Sequence, residues 1–209
     1  GQIGDTLWLD ADADGVPDTD EMPLPGIGVT LERLVGGVWT PIAATTTGAD
    51  GKYTFTGLVT GDYRVTVDPN SLVTSPYGGS YTLGSAMTPT YDRDGGTTSP
   101  DGVATINLPS DSTVVSDADF GYRWSGSIAG TTWYDTDSDT LLDETECSGS
   151  PCGAPGSSIV LYLVNADGSY TILDFFVTAD GSYDYLFDNL PPGNYVVGAS
   201  EQEVPAPTG

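Results

Sequence analysis

Ala49-Asp-Gly-Lys-Tyr-Thr-Phe55 returns near the end of the chain as Ala179-Asp-Gly-Ser-Tyr-Asp-Tyr185. In both copies an Asp-Gly pair, a strong hairpin-turn signal, leads into two aromatics two positions apart. Side chains at that spacing share one face of a strand. Tyr53 with Phe55, and Tyr183 with Tyr185, are therefore expected to pack into sheet cores. Two more anchors flank this one. Gly61-Asp-Tyr-Arg-Val65 matches Gly193-Asn-Tyr-Val-Val197, and Gly4-Asp-Thr-Leu-Trp-Leu-Asp-Ala-Asp-Ala-Asp14 matches Gly130-Thr-Thr-Trp-Tyr-Asp-Thr-Asp-Ser-Asp139. The last match lays Trp8 on Trp133 and Asp10 on Asp135. Three anchors in one order at similar spacing mean an internal duplication.

Each copy reads as β. Val29-Thr-Leu-Glu-Arg-Leu34 alternates apolar and polar residues, as a half-buried strand must. Short strands punctuated by Gly and Asp predict an all-β chain of two tandem antiparallel β-sandwiches, Ig-like or prealbumin-like. The boundary is expected near Arg123 to Ser127, giving domains 1–124 and 125–209. The first copy continues after Asp68 through a long extension to Asp117-Ala-Asp-Phe-Gly-Tyr-Arg123. The second runs only a little past Val197, so its sandwich is expected to lack a closing strand.

Thirty acidic residues face five basic ones and no histidine, a formal net charge of -25. Such a surface repels nucleic-acid phosphate and anionic membranes, which excludes both as partners. No run approaches the roughly 18 apolar residues of a membrane span, so no membrane insertion is expected. No leader-like segment is read at the start, and the chain is expected to be a mature form or a fragment.

Charge clustering carries the chemistry. In Asp10-x-Asp12-x-Asp14-Gly15-Val16-x-Asp18-x-x-Glu21, counted from Asp10, oxygen side chains fall at positions 1, 3, 5, 9 and 12. Gly15 occupies position 6, where the chain turns sharply, and the Val16 carbonyl occupies position 7. This is the ligand order of an EF-hand calcium loop, here with strand-like flanks in place of helices. Ca²⁺ is a hard cation that takes six to eight oxygens, and a coiled loop brings alternate side chains to one point. Asp135, Asp137, Asp139, Leu141, Asp143 and Glu146 repeat the register, with Thr140 in place of the glycine. At least two bound Ca²⁺ ions are expected. A further site is read at Asp92 and Asp94 with Asp117 and Asp119, since acids two apart on extended chain share a face.

Cys147 and Cys152 are the chain's two cysteines, set in a turn-rich Cys-Ser-Gly-Ser-Pro-Cys. A local disulfide and an oxidising compartment are expected. Zinc lacks a histidine to complete its shell, and a redox pair ordinarily has two-residue spacing.

The first loop is followed by Pro25-Gly-Ile-Gly-Val-Thr-Leu31, Asp50-Gly-Lys-Tyr-Thr-Phe55 and Gly61-Asp-Tyr-Arg-Val65. This series resembles the B-type repeats of serine–aspartate-repeat (Sdr) surface adhesins. Tyr91-Asp-Arg-Asp-Gly95 and Asp117-Ala-Asp-Phe-Gly-Tyr122 resemble the end of such a repeat. Residues 125–199 look like a shorter, diverged copy, similar to collagen-adhesin B-type (transthyretin-like) domains. The resemblance implies calcium-bound sandwiches serving as rigid stalks between a surface anchor and a ligand-binding head. It carries the loop ligands onto Asp10, Asp12, Asp14, Asp18, Glu21 and their second-copy equivalents. Some related domains hold a Lys–Asn isopeptide crosslink. Lys52 is the one lysine and falls at a turn, so no crosslink is expected here.

The leading functional reading is an extracellular stalk or filament subunit, joined to tandem domains or to copies of itself. In it the second acidic loop, just past the boundary, fixes the angle between sandwiches when calcium binds. A strand donated by a neighbouring subunit would complete the second sheet and build a homo-polymer. The alternative is an adhesin module that binds a host protein or glycan through Tyr77, Tyr81 and Tyr91. An enzyme is disfavoured. No histidine supplies a base, and a hard cation explains the carboxylate pairs better than catalysis does.

Overall fold

The computed structural model of the chain describes residues 1–133, 135, 138, 156–178 and 184–200. The chain separates between Ser125 and Gly126 into two compact units. The described elements of both are strands, apart from one helical turn, α1 (Leu83–Ala86). Among the described residues no helix is long and apolar enough to cross a membrane.

In the first unit, β1 (Gln2–Leu9) is the organising strand. It pairs antiparallel with β4 (Lys52–Thr56) and parallel with both β10 (Val114–Val115) and β11 (Phe120–Trp124). On the far side of β11 lies β8 (Met87–Asp92), an edge strand that tolerates Pro89. The facing sheet runs β3 (Val38–Thr46), β2 (Gly28–Val35), β5 (Gly61–Val67) and β9 (Val103–Leu108), antiparallel throughout. A small hairpin of β6 (Leu72–Thr74) and β7 (Ser80–Thr82) stands apart.

Alternation explains the core. Val29 and Leu31 of β2, Tyr53 and Phe55 of β4, Val65 of β5 and Ile106 of β9 sit at every second position and point inward, all buried. Tyr53 and Phe55 meet edge to face with ring centroids 5.9 Å apart. Trp8 breaks the pattern. Its neighbour Leu7 faces the core, so Trp8 faces the opposite side, yet it is only 3% exposed. Pro23 bridges to it and the Tyr91 ring lies 5.8 Å away, so residues beyond the strand cover that face.

The second unit repeats the opening of the first. β12 (Gly126–Thr131) pairs with β15 (Asp184–Leu190), as β1 pairs with β4. β13 (Ser158–Val164) lies between β14 (Tyr170–Val177) and β16 (Tyr195–Ser200), as β2 lies between β3 and β5. Ile159, Leu161 and Phe187 are buried between the sheets, with Phe176, Tyr185 and Val197 partly buried around them. Among the described residues no named strand occupies the places that β11 and β9 take in the first unit.

One local expectation is corrected. Asp50-Gly51 does form a tight turn, with Gly51 at φ 73° and its amide on the Gly48 carbonyl. It does not close a hairpin, because β3 and β4 belong to different sheets. The Gly51 carbonyl accepts the Leu7 amide, so the turn carries the chain across the sandwich to β1. Asp180-Gly181, with Tyr183, lies outside the described residues.

Candidate metal centre

The acidic loop is a closed excursion from the end of β1. Its stem is pinned where the Leu9 amide meets the Met22 carbonyl at 2.8 Å and the Leu24 amide meets the Leu7 carbonyl at 3.0 Å. The Asp10 amide donates to the Tyr122 carbonyl of β11 at 2.8 Å, which fastens the loop to the sheet. Two left-handed residues coil the chain between these pins, Ala13 at φ 60° and Gly15 at φ 77°. A side chain on Gly15 would meet Thr97 at 2.7 Å and the Tyr91 ring at 2.8 Å. The loop is pressed against β8 there, and glycine is required for both reasons.

The carboxylates turn inward and brace the loop's own amides. Glu21 accepts from Ala11 through Oε1 (2.7 Å) and from Asp18 through Oε2 (3.1 Å), bridging the ends of the loop. Asp14 accepts from Val16 at 2.7 Å, Asp12 from Asp14 at 3.2 Å, and Asp10 Oδ2 from Gly15 at 3.2 Å. Oxygens of Asp10, Asp12 and Glu21 all lie within 4.8 Å of one another, as do those of Asp12, Asp14 and Asp18. The described ion pairs join Lys52 to Asp5, Arg64 to Glu32 and Arg93 to Asp117. None of them reaches this ring of acids.

Asp10 is the informative member. It is fully buried, and its Oδ1 has no hydrogen-bond donor. A buried carboxylate oxygen without a donor disfavours the fold unless a cation meets it. Like charges crowded at about 4 Å repel by roughly 1 kcal/mol per pair even in water, and more when partly desolvated. The donors are all oxygen, four Asp and one Glu with the Val16 carbonyl at the loop's centre. That set suits a hard divalent cation and offers nothing to a soft one.

In the second unit Asp135 and Ser138 are the described members of the equivalent loop. Ser138 takes φ 64°, the same left-handed turn as Ala13, its counterpart three residues past the first aspartate. Asp137, Asp139, Leu141, Asp143, Glu146, Cys147 and Cys152 lie outside the described residues.

Asp92, Asp94, Asp117 and Asp119 each have a separate partner. Asp92 is fully buried and accepts from the amides of Gly95 (2.6 Å), Asp101 (2.6 Å) and Gly102 (3.2 Å). Burial raises its carboxyl above the usual range, and those three amides pull the other way. Asp94 accepts from the Thr105 amide at 3.0 Å, and Asp117 pairs with Arg93 at 3.3 Å. Asp119 accepts from the Thr6 amide at 2.9 Å. Burial pushes its carboxyl up to about 6, and the charges of Asp5 and Asp117 add to the shift. Among the described residues the four are not drawn to one point. The expectation assumed extended chain, but β8 ends at Asp92 and the Gly96 amide folds straight back onto the Asp92 carbonyl.

Of the tyrosines considered for ligand binding, Tyr91 packs under Trp8 and the loop, and Tyr81 packs against the core. Tyr77 is exposed. Lys52 opens β4 and pairs with Asp5 at 3.1 Å on the surface.

The profile of the SdrD B-like domain matches residues 1–122. Serine-aspartate repeat-containing protein F of Staphylococcus epidermidis (strain ATCC 12228) is 31% identical over 201 residues, covering 96% of this chain and 11% of that protein. A fibrinogen-binding protein of the same species is 32% identical over 201 residues, covering 94% of this chain and 16% of its own length. The chain thus spans a small part of these relatives. Among solved structures, the Bacillus anthracis TIE protein aligns with 97% of this chain and 29% of its own, at 14% identity and a TM-score of 0.45.

Proposed function

Given that the chain belongs to the SdrD B-like domain family, whose members are cell-surface or extracellular structural and adhesive modules, we propose that it is a calcium-stiffened stalk or filament module without catalytic activity. The observation that carries this reading is the buried, donorless Oδ1 of Asp10 at the base of an acidic ring that none of the described ion pairs reaches. Bound Ca²⁺ supplies the missing positive charge and six to eight coordination positions. Asp10, Asp12, Asp14, Asp18 and Glu21 would hold it with the Val16 carbonyl. Glu21 already ties the loop's ends together, and Asp10 is tied to β11, so the site joins loop and sheet. The shared left-handed residue, Ala13 and Ser138, supports an equivalent site at Asp135, Asp137, Asp139, Leu141, Asp143 and Glu146.

The open edges of β12 and β16 among the described residues support the filament form of the reading. A strand from a neighbouring subunit or tandem domain would take the places of β11 and β9. The disulfide between Cys147 and Cys152 belongs to the same proposal and would brace the second loop.

A second reading, direct binding of a host protein, draws on relatives named for binding fibrinogen and bone sialoprotein. The chain covers 16% and 11% of those two proteins. Two of the three tyrosines considered are packed inward, so the stalk is preferred.

Thermal unfolding of the full chain in excess Ca²⁺ and in excess chelator tests the proposal. A ligand a hundredfold above its dissociation constant adds about 2.7 kcal/mol to the folded state. A clear fall in Tm under chelator is expected. The same Tm in both conditions would remove the calcium reading.

A further inference from the structure

Three buried polar side-chain atoms of the first unit lack a hydrogen-bond partner: Trp8 Nε1, Asp10 Oδ1 and Thr90 Oγ1. The acidic loop accounts for Asp10. It does not account for Thr90, which is only 7% exposed and sits on β8, far along the chain from the loop.

The strands bring the two together. Gly121 of β11 lies opposite Trp8 on one side and Tyr91 on the other, while Tyr122 pairs with Pro89. Thr90 is therefore the extra residue of a β-bulge, a device that re-aims a side chain. Gly121 leaves the space into which it is aimed. The point where a Cβ of Gly121 would stand is 2.8 Å from Thr90 Oγ1 and 2.9 Å from Asp10 Oδ2. The hydroxyl and the carboxylate converge over the same bare Cα without bonding to each other.

A cation on Asp10 explains this geometry. A threonine hydroxyl offers lone pairs to a metal or to a metal-bound water, whereas an indole N–H offers none and cannot face a cation. We infer that the Thr90 hydroxyl oxygen is a further member of the calcium shell, on its buried side, with at most one water between it and the ion. The inference rests on the calcium reading proposed above. It adds a residue outside the acidic loop, so that occupancy fastens the loop to β8 as well as to β11. Gly121 keeps the space between the two oxygens open.

The test is calorimetric Ca²⁺ titration of the full chain as wild type, Thr90→Val, Thr90→Ser and Thr90→Ala, paired with unfolding of each in chelator. Losing a shell member typically costs ten- to a hundredfold in metal affinity. One Ca²⁺ step of T90V is expected to weaken by about tenfold or more, while T90S stays close to wild type. In chelator T90V should be at least as stable as wild type, because removing an unsatisfied buried hydroxyl is neutral or stabilising. Unchanged Ca²⁺ affinity in T90V overturns the inference while leaving the calcium reading intact. A wild type that takes up no Ca²⁺ overturns both. Should T90V fail to fold, Thr90→Ala decides, since it deletes the hydroxyl without adding an atom beside Asp10. Weakened binding supports the inference, and wild-type affinity ends it.

Discussion

Among the described residues the two units share an opening plan and then differ. β1 to β5 and β12 to β16 follow one plan, with the same strand pairs in the same order. The first unit goes on to add β8, β9, β10 and β11, which enclose Ile3, Leu7, Tyr63, Leu108 and Phe120 at 2% exposure or less. In the second unit Ile159, Leu161 and Phe187 are buried, while Tyr170, Ile172, Phe175 and Val177 of β14 stand more than half exposed. The same sheet face is also dressed differently. Glu32 and Arg64 lie opposite each other in the first unit, joined at 2.6 Å, with Arg64 over the Trp39 ring at 5.0 Å. At the matching positions the second unit has Tyr162 opposite Val196. The first unit's β3 exposes Val38 and Ile42 as well, but its sheet also carries the Glu32–Arg64 ion pair. The second unit's apolar face, with no described strand beyond β12 and β16, is the feature on which the filament proposal draws.

The largest expected effect lies in the cores. Leu31 and Leu161 are matching, fully buried residues. Leu31→Ala should cost about 3 kcal/mol in the first unit's unfolding. Leu161→Ala should cost less, because its sparser surroundings relax into the gap. Chemical unfolding followed by tryptophan fluorescence separates the two, since Trp133 is the second unit's one tryptophan. Equal losses would break the contrast between a closed and an open core.

A smaller effect should be confined to the first unit and depend on pH. Asp119 precedes β11, a strand without a described counterpart in the second unit. Its folded carboxyl titrates at about 6, against an ordinary value of 3.8. The folded state therefore holds this proton more tightly than the unfolded chain does. Its contribution to stability is present below about pH 4 and is lost as pH rises through 6. Asp119→Asn keeps an oxygen for the Thr6 amide and removes the titration. In metal-free protein it should raise Tm at pH 7.5, with the gain closing toward pH 4. A gain that is the same at both pH values would contradict the burial of this carboxyl.

The smallest effect concerns the outer face. Arg64→Val copies Val196 onto the first unit, and the loss should be only about 0.5 kcal/mol, as for other surface ion pairs. A loss several times larger would mean that the Glu32–Arg64–Trp39 group is structural rather than superficial.

Much of this was legible in the residues, because it is set by local rules. The alternation of Val29 and Leu31 declares a half-buried strand whatever its partner. The spacing of Asp10, Asp12, Asp14, Asp18 and Glu21 declares a coiled loop of oxygens. What was hidden depends on which strands meet. Asp50-Gly51 specifies a tight turn but says nothing of whether the chain turns back or crosses over. Asp92 and Asp94 share a face only while the strand lasts, and it ends at Asp92. The bulge that aims Thr90 exists only once β8 and β11 are paired. A glycine within Phe120-Gly-Tyr122 was the one available sign, since an isolated strand glycine marks a close approach.

Calcium binding by wild type and Asp10→Asn, compared by calorimetric titration of the full chain, decides whether the acidic loop holds a cation. Asn keeps the size and one carbonyl oxygen but removes the buried charge. Wild type should take up one more Ca²⁺ than the variant, and only wild type should gain the stabilisation that goes with that ion. Identical titrations of the two proteins would show that the lone oxygen of Asp10 faces no cation.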